Sequence, residues 1–419
     1  MRSKLISIGD EILIGQIVNT NAAYLGDKLF SIGIPVEKTV VIGDEENVLL
    51  SEFEDSIRNY DVTIITGGLG PTHDDITKPA LIKFFNDELI TDEKVLKHVK
   101  NIFSSRNLKM PAVNEAQALV PKNSRVIWNA NGTAPGIWVE KKNKIFIAMP
   151  GVPYEMKSMF ENEITPILKI FFHDRINKVF VQKTLLTTGL GESTLSDMIG
   201  DVKEITVDCK LAFLPSSTGV RLRINSEAKN EIEAISKLNK VENKIRAKVG
   251  LYVYGINGDM LEKIIGDILR ERKQTLSVAE SCTGGMISSR IVSIAGSSDY
   301  YAGGVCAYSN KEKNKLLNVS DETIKQYGAV SEQTAVEMAC GIREVMGTDL
   351  AISTTGIAGP GGGSEKKPVG LVWIGFSNKE KTYAKDFLFG DNRERNIQRA
   401  SQRALEILRR ELLNLEIKF

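Results

Sequence analysis

A chain of 419 residues, 42% hydrophobic and 26% charged, is too long for one ordinary domain and too evenly mixed for a fibrous, disordered or membrane class. Its net charge of +1 provides no global field to gather nucleic acid or an anionic membrane. Cys209, Cys282, Cys306 and Cys340 form neither a CxxC pair nor a disulfide ladder, and the apolar run before Asp10-Glu11 is too short for a signal peptide, so a cytoplasmic protein with reduced thiols is expected. In chain order, Lys4–Ile8 reads as a buried strand with Gly9-Asp10-Glu11 at its carboxyl end, Asn21–Leu29 as a helix and Pro35–Ile42 as a second strand. Val48–Arg58 reads as a helix and Asp61–Thr66 as a third strand, which opens into a glycine-rich loop from Gly67 to Lys78 before a helix through Phe84. Lys144–Met149 is a further strand, entering Pro150-Gly151-Val152-Pro153 and another helix. Strands alternating with helices imply a parallel α/β sheet whose ligands bind beyond the carboxyl ends of the strands, where the loops at Asp10, Gly67 and Gly151 would lie.

The Gly67–Lys78 loop carries the most specific chemistry of this half. Gly67, Gly68, Gly70 and Gly151 let backbone N–H groups approach a phosphate, with Thr72 and Lys78 as further contacts. Asp10, Glu11, Asp74 and Asp75 are the candidate ligands of Mg²⁺ or a similar hard cation. A plain glycine turn with acids at a helix start would explain Asp74 and Asp75, but not three loops converging; His73 reads as a solvated loop residue. Gly9-Asp10-Glu11-Ile12-Leu13, Asn19-Thr20-Asn21, the Gly67–Thr77 loop and Met149-Pro150-Gly151-Val152-Pro153 resemble the MoaB/MogA-like molybdopterin-binding family, and more closely the N-terminal domain of the CinA family. That resemblance covers roughly residues 1–170. It implies ADP-ribose pyrophosphatase activity dependent on a divalent metal such as Mg or Co.

Between about 175 and 254 the pattern changes. Strands at Lys178–Leu186, Leu211–Leu214 and Val220–Ile224, with helices at Thr194–Ile199 and Glu231–Val249, suggest a small α+β module of βαββαβ type. It resembles the KH-type module of CinA-like proteins. A nucleic-acid-binding KH domain needs a basic GxxG loop, whereas Gly189-Leu190-Gly191-Glu192 has other spacing and an acid, so a structural spacer is expected and nucleic acid is not. Gly255–Gly258 reads as a short linker.

Alternation then resumes with a helix at Asp259–Arg272 and the stretch TLSVAESCTGG from Thr275 to Gly285: strand, tight turn, then a helix over Met286–Ile294. Ser281 and Cys282 would sit at the carboxyl end of that strand, and N–H groups near Thr283–Gly285 could serve as oxyanion donors. Gly303–Tyr308 is a strand ending at Tyr308-Ser309-Asn310, followed by Lys311, Lys313 and Lys315. Ser331–Met346 is a helix, Asp349–Thr354 a strand that ends in the loop Thr355–Gly363, and Gly370–Phe376 and Thr382–Phe387 are further strands. The histidines are His73, His98 and His173, so a hydrolase housed beyond residue 174 must find its base among Lys, Tyr, Asp or Glu. A lysine desolvated beside the hydroxyl would serve. Asn396–Leu413 closes the chain as an amphipathic helix with Ile397, Ala400, Ala404, Leu408 and Leu412 on its apolar face and Arg403, Arg409 and Arg410 on its wet face.

AESCTGG, Tyr308-Ser309-Asn310 with Lys313, the Thr355–Gly362 run and Gly370-Leu371-Val372 resemble the CinA C-terminal domain, the nicotinamide-nucleotide amidohydrolase (PncC) family, over about 257–416. The resemblance implies hydrolysis of nicotinamide mononucleotide without a cofactor, with Ser281 as nucleophile, Lys313 as base and Tyr308 assisting. It implies Thr283, Gly284, Gly285, Asn310, Thr355, Gly356, Gly359 and Gly361 as substrate contacts. Gly390-Asp391-Asn392-Arg393 departs from the family's Gly-Asp-Arg, leaving Arg393, Arg395 and Arg399 as candidates for the phosphate. The expected architecture is two parallel-sheet α/β domains, 1–172 and 255–419, joined by the KH-like module at 173–254, in a homodimer acting on small nucleotides. The rival reading is a nucleotide- or pterin-binding regulatory protein without turnover, linked to competence.

Overall fold

The computed structural model describes all residues except His73, Asp74, Asn177 and 417–419. Its contacts define two compact units, Met1–Val181 with Glu227–Ile235, and Gln182–Ser226 with Ser236–Phe419.

In the first unit the strands are β1 (Ser3–Ile8), β2 (Val36–Ile42), β3 (Val62–Thr66), β4 (Leu89–Thr91), β5 (Leu119–Pro121), β6 (Arg125–Ile127), β7 (Gly136–Lys141) and β8 (Lys144–Met149). Six of them form one sheet in the order β2-β1-β3-β8-β7-β6. It is parallel from β2 to β8 and antiparallel at β7 and β6. Every residue of β1 and β3 is buried, as a parallel strand covered by helices on both faces requires. The two-residue period sends Leu5 and Ile64 into one core and Ile6 and Ile65 into the other. Central β1, β3 and β8 therefore aim the loops at Gly9, Gly67 and Gly151 at one edge. Gly67 N–H donates to the Met149 carbonyl at 3.0 Å, and a Cβ on Gly67 would lie 2.5 Å from the Ile8 carbonyl oxygen, so the three loops meet.

The KH-like sheet has the order β10-β11-β9-β12, from β9 (Val179–Thr187), β10 (Cys209–Ser216), β11 (Gly219–Ala228) and β12 (Val253–Ile256). Helices Glu192–Ile199 and Val202–Thr206 are joined by Gly200-Asp201, where Asp201 caps the second helix through Lys203 N–H at 2.8 Å. β12 runs through Gly255-Ile256, so the expected linker is partly strand, paired with β9.

The C-terminal sheet has the order β14-β13-β15-β16-β17, with β13 (Leu276–Glu280), β14 (Tyr301–Cys306), β15 (Leu350–Gly356), β16 (Leu371–Ser377) and β17 (Thr382–Leu388). The first three are parallel and the last two antiparallel. The result is a mixed α/β architecture: two domains with parallel-centred sheets joined by a KH module. The loops after β13, β14 and β15 leave one edge together.

The closing helix, Arg393–Leu412, overturns one expectation. Arg409 and Arg410 are 3% and 1% exposed rather than wet. They surround the fully buried Glu406, with Arg409 Nε 2.8 Å from one of its oxygens and Arg410 Nε 2.7 Å from the other. Arg409 also donates to the Leu251 carbonyl at 2.9 Å, because the KH module covers the side that an isolated amphipathic helix would leave open.

Candidate active site

Ser281 follows β13 directly and is 7% exposed. Lys313 lies on the Asn310–Leu317 helix after β14, capped by Ser309 through Glu312 N–H. Helical phase decides among the three lysines. Lys313 shares an inward face with Leu317, four residues on, while Lys311 and Lys315 are exposed. Lys313 Nζ stands 2.9 Å from Ser281 Oγ, 2.9 Å from the Ala307 carbonyl and 3.5 Å from that of Tyr308. No carboxylate pairs with it among the described residues. Burial therefore pushes its amine below the ordinary lysine range, with the neighbouring Cys282 and Cys306 thiols opposing this weakly. The hydroxyl and the amine can exchange a proton along that contact.

Cys282 is the adjacent rival. Burial pushes its thiol up to about 12, against small opposing effects from Lys313 and Arg393. Cys282 is therefore a small buried thiol and not a thiolate acidified by the helix start.

The turn itself is held by Glu280, 1% exposed at the end of β13. Its carboxylate accepts from the N–H groups of Gly285 (2.9 Å), Ile287 (3.1 Å) and Ser288 (2.9 Å), and from Ser288 Oγ (2.7 Å). The expected oxyanion donors at Gly284 and Gly285 are thus committed: Gly285 to Glu280, and Gly284 to the Ser281 carbonyl at 3.2 Å. Thr283 N–H has no acceptor among the described residues. Gly284 and Gly285 have φ of 61° and 94°, so their first role is to allow the turn.

Other expected contacts are distributed unevenly. The Thr283 hydroxyl is 2.7 Å from that of Thr354, and Thr355 Oγ1 donates to the Ala329 carbonyl, so both serve packing. Gly356 is a β15 residue where a Cβ would meet Val372 at 2.6 Å. Gly361 faces open space, and Asn310 is exposed at the front of the lysine helix. Arg393 donates to the Gly359 carbonyl at 2.8 Å and to the Tyr308 hydroxyl at 3.1 Å, tying the glycine loop to the loop after β14. The Tyr308 hydroxyl thus faces Arg393 instead of hydrogen-bonding Ser281. Arg399 donates to the Phe389 carbonyl and lines a separate cleft with Arg403, Gly189 and Gly191, so it is removed from the Ser281 site. Arg403 takes the Gly189 carbonyl at 3.1 Å, which leaves the KH glycine loop seated on the protein's own arginine.

In the N-terminal domain a cleft of about 410 Å³ is lined by Gly9, Glu11, Gly67, Gly68, Gly70, Asp75 and Gly151, among others. Two expected contacts lie elsewhere. Lys78 is buried, with its amine on the Ala116 and Gln117 carbonyls at 3.3 Å, and burial lowers it to about 8. Asp75 accepts from Gly70 N–H (2.6 Å), Thr72 N–H (2.7 Å) and Thr72 Oγ1 (2.7 Å). It is spent on the loop, and so is Thr72. Asp10 and Glu11 open the short Asp10–Leu13 helix and are exposed. Among the described residues no three His, Cys, Asp or Glu side chains gather as a metal site. Asp10, Glu11 and Asp75 thus form no three-carboxylate cluster as they stand; Asp74 and His73 lie outside the described residues.

Three family descriptions tile the chain: "Probable molybdopterin binding domain" over 4–170, "Damage-inducible protein CinA KH domain" over 182–255 and "CinA C-terminal domain" over 258–412. A protein of Clostridium botulinum (strain 657 / Type Ba4) named "Putative competence-damage inducible protein" is 43% identical over 414 residues, covering 98% of this chain and 100% of that one. The chain belongs to the CinA family. A "CinA-like protein" of Chloroherpeton thalassium is likewise 43% identical over 424 residues, across 99% of this chain and all of that one. Among solved structures, the competence/damage inducible protein CihA of Agrobacterium tumefaciens is 38% identical and spans 36% of this chain and 93% of its own, with a TM-score of 0.36. Among the described residues no helix is long and apolar enough to cross a membrane.

Two residues that organise this C-terminal site have no role assigned by the motifs, although Glu280 stands inside AESCTGG itself. Glu280 is one; its signal is an acid closing an otherwise apolar strand just before a helix start. Asn396 is the other. It is 1% exposed and donates to the Ala358 and Gly390 carbonyls, both at 2.9 Å, fixing the root of the glycine loop.

Proposed function

We propose that the C-terminal domain hydrolyses the carboxamide of nicotinamide mononucleotide to nicotinate mononucleotide and ammonia. The observation that carries this reading is the 2.9 Å contact between buried Lys313 Nζ and Ser281 Oγ in a region without histidine. Neutral Lys313 takes the Ser281 proton as Oγ attacks the amide carbon, and the resulting ammonium returns that proton to the departing nitrogen. Water then enters by the same relay, Oγ leaves, and the carboxylate is released. The N–H groups of Cys282 and Thr283, which have no backbone acceptor among the described residues, are the donors the turn offers the tetrahedral oxyanion. Arg393, held beside Gly359 and Tyr308, is the cation offered to the phosphate. The test is ammonia release from nicotinamide mononucleotide in the presence of EDTA, with wild type beside Ser281→Ala and Lys313→Ala. Turnover by the wild type and its loss in both variants supports the reading; a silent wild type removes it.

A second activity, cleavage of the ADP-ribose pyrophosphate, is proposed for the N-terminal cleft. Glycine backbone from three loops lines that cleft at the carboxyl edge of the sheet, as phosphate binding requires. Dependence on a divalent metal is part of this proposal through the family resemblance, and chelation tests it.

A further inference from the structure

We infer that Glu280 is a positioning residue for Ser281, holding the nucleophile turn by occupying, with its own carboxylate, the helix N-terminus that follows the turn. The inference rests on the amidase reading for its kinetic readout and on geometry for its substance. Strand β13 is pinned between β14 and β15, so the backbone of Glu280 is fixed from both sides. The carboxylate reaches forward over Ser281–Gly284 and takes three N–H groups from Gly285, Ile287 and Ser288, plus the Ser288 hydroxyl. Strand end and helix start are thereby clamped on either side of the four residues that carry Ser281. The helix of seven residues contributes no side-chain cap of its own at Gly285. Tyr301 extends the clamp by donating to Ser288 Oγ at 2.7 Å.

The charge matters as well as the shape. An ionised carboxylate is acceptor-only and can satisfy four converging donors. A glutamine amide of the same size must turn an N–H toward at least one of those donors. The turn then shifts, and a displacement of about 1 Å between a nucleophile and its base can cost about 100-fold in rate. Substrate contacts at Arg393 and Gly359 lie on other loops, so KM is expected to hold.

The experiment compares wild type, Glu280→Gln and Ser288→Ala in the full chain. Ammonia release from nicotinamide mononucleotide gives kcat and KM. The rate of phosphonylation of Ser281 by a small fluorophosphonate, located by peptide mass, reports nucleophile placement without substrate. For Glu280→Gln the expected result is a fall of about 100-fold in both kcat and labelling rate, with KM within threefold. Ser288→Ala, which removes one of the four bonds, should lose about three- to tenfold in both. Labelling and kcat within twofold of wild type in Glu280→Gln, with only a lowered Tm, would make Glu280 a helix cap and overturn the inference. If Glu280→Gln shows no cooperative melt, Ser288→Ala decides by the same limits. Wild type that labels at Ser281 but releases no ammonia removes the amidase reading, and the labelling ratios still judge Glu280. Wild type that neither labels nor turns over overturns both.

Discussion

Lys313 Nζ and Ser281 Oγ lie 2.9 Å apart, with the lysine 2% exposed. The two residues are 32 positions apart in sequence and come from consecutive strands' carboxyl ends, β13 and β14, so the sheet sets their separation. The amine's other near partner is the Ala307 carbonyl at 2.9 Å, which fixes its direction and leaves its charge uncompensated. Replacing Lys313 with Met should keep the buried volume, leave two acceptors unpaired and reduce ammonia release about 1,000-fold or more, as should Ser281→Ala. Far-UV circular dichroism would show both variants folded. A variant of either kind with near wild-type turnover would remove the pair from the chemistry.

The same contact predicts a pH dependence. Burial lowers the Lys313 pKa, so the neutral, proton-accepting amine is available below the usual lysine range. The kcat/KM profile should therefore rise with pH through the folded-state pKa of Lys313 and level off above it. Stability follows the same sign. Between the lowered folded value and the unfolded value the native state binds fewer protons, so unfolding free energy rises with pH in that window and falls as pH drops through the folded value. Lys313→Arg, charged at every working pH, should be inactive across the profile. A profile flat from pH 6 to 10 in wild type would contradict the assignment.

Cys282 should be a bystander. With its thiol near 12, roughly one molecule in 10,000 carries a thiolate at pH 8. Iodoacetamide at that pH should spare Cys282 in the folded protein, and peptide mapping before and after denaturation reads this directly. Cys282→Ala should retain kcat within threefold, since a small buried side chain is exchanged for one of similar size. Loss of turnover in that variant alone would point to the thiol as nucleophile.

Much of this arrangement is legible in the sequence, and the remainder fails for identifiable reasons. Strands such as Lys4–Ile8 and Asp61–Thr66 declare themselves by continuous apolar runs, and glycine loops mark the ligand edge of both sheets. Gly370–Phe376 and Thr382–Phe387 read as strands as well, but the antiparallel course of β6, β7, β16 and β17 is not legible, because pairing direction is a property of partners and crossovers rather than of local pattern. Lys311, Lys313 and Lys315 look alike until helical phase places Lys313 over Leu317. Arg409 and Arg410 look like a solvated face until a second module covers them. Asp75 and Lys78 show the converse limit. Both carry the residue types that phosphate and metal chemistry need, yet one folds back on its own loop and the other beneath Gln117, contacts no motif encodes.

Asn396 supplies a prediction about binding. Its amide holds the Ala358 and Gly390 carbonyls at the root of the glycine loop, one helical turn from Arg393. Asn396→Leu leaves both carbonyls without that donor, which should cost about 2–4 kcal/mol of stability and release the loop that carries Gly359. KM for nicotinamide mononucleotide should rise about tenfold or more while the Ser281 labelling rate stays within threefold, because the nucleophile turn is anchored separately by Glu280. Parallel losses in labelling and in KM would show the two loops to be one mechanical unit.

The N-terminal cleft predicts a clean separation of activities. Asp75 ties Gly70 and Thr72 through three hydrogen bonds, so Asp75→Ala should loosen the glycine loop that lines the cleft. ADP-ribose cleavage should fall about 100-fold, whether Asp75 acts on the loop alone or also on a cation. Asp75→Asn keeps an acceptor for Gly70 N–H and should recover part of that loss if the loop is what matters; a metal ligand would not be rescued so. Ammonia release from nicotinamide mononucleotide, measured in the same preparations, should match wild type in both variants and be insensitive to EDTA. An Asp75→Ala variant with full ADP-ribose cleavage would detach the glycine loop from that chemistry, and one that lost ammonia release as well would mean the two domains depend on each other for turnover.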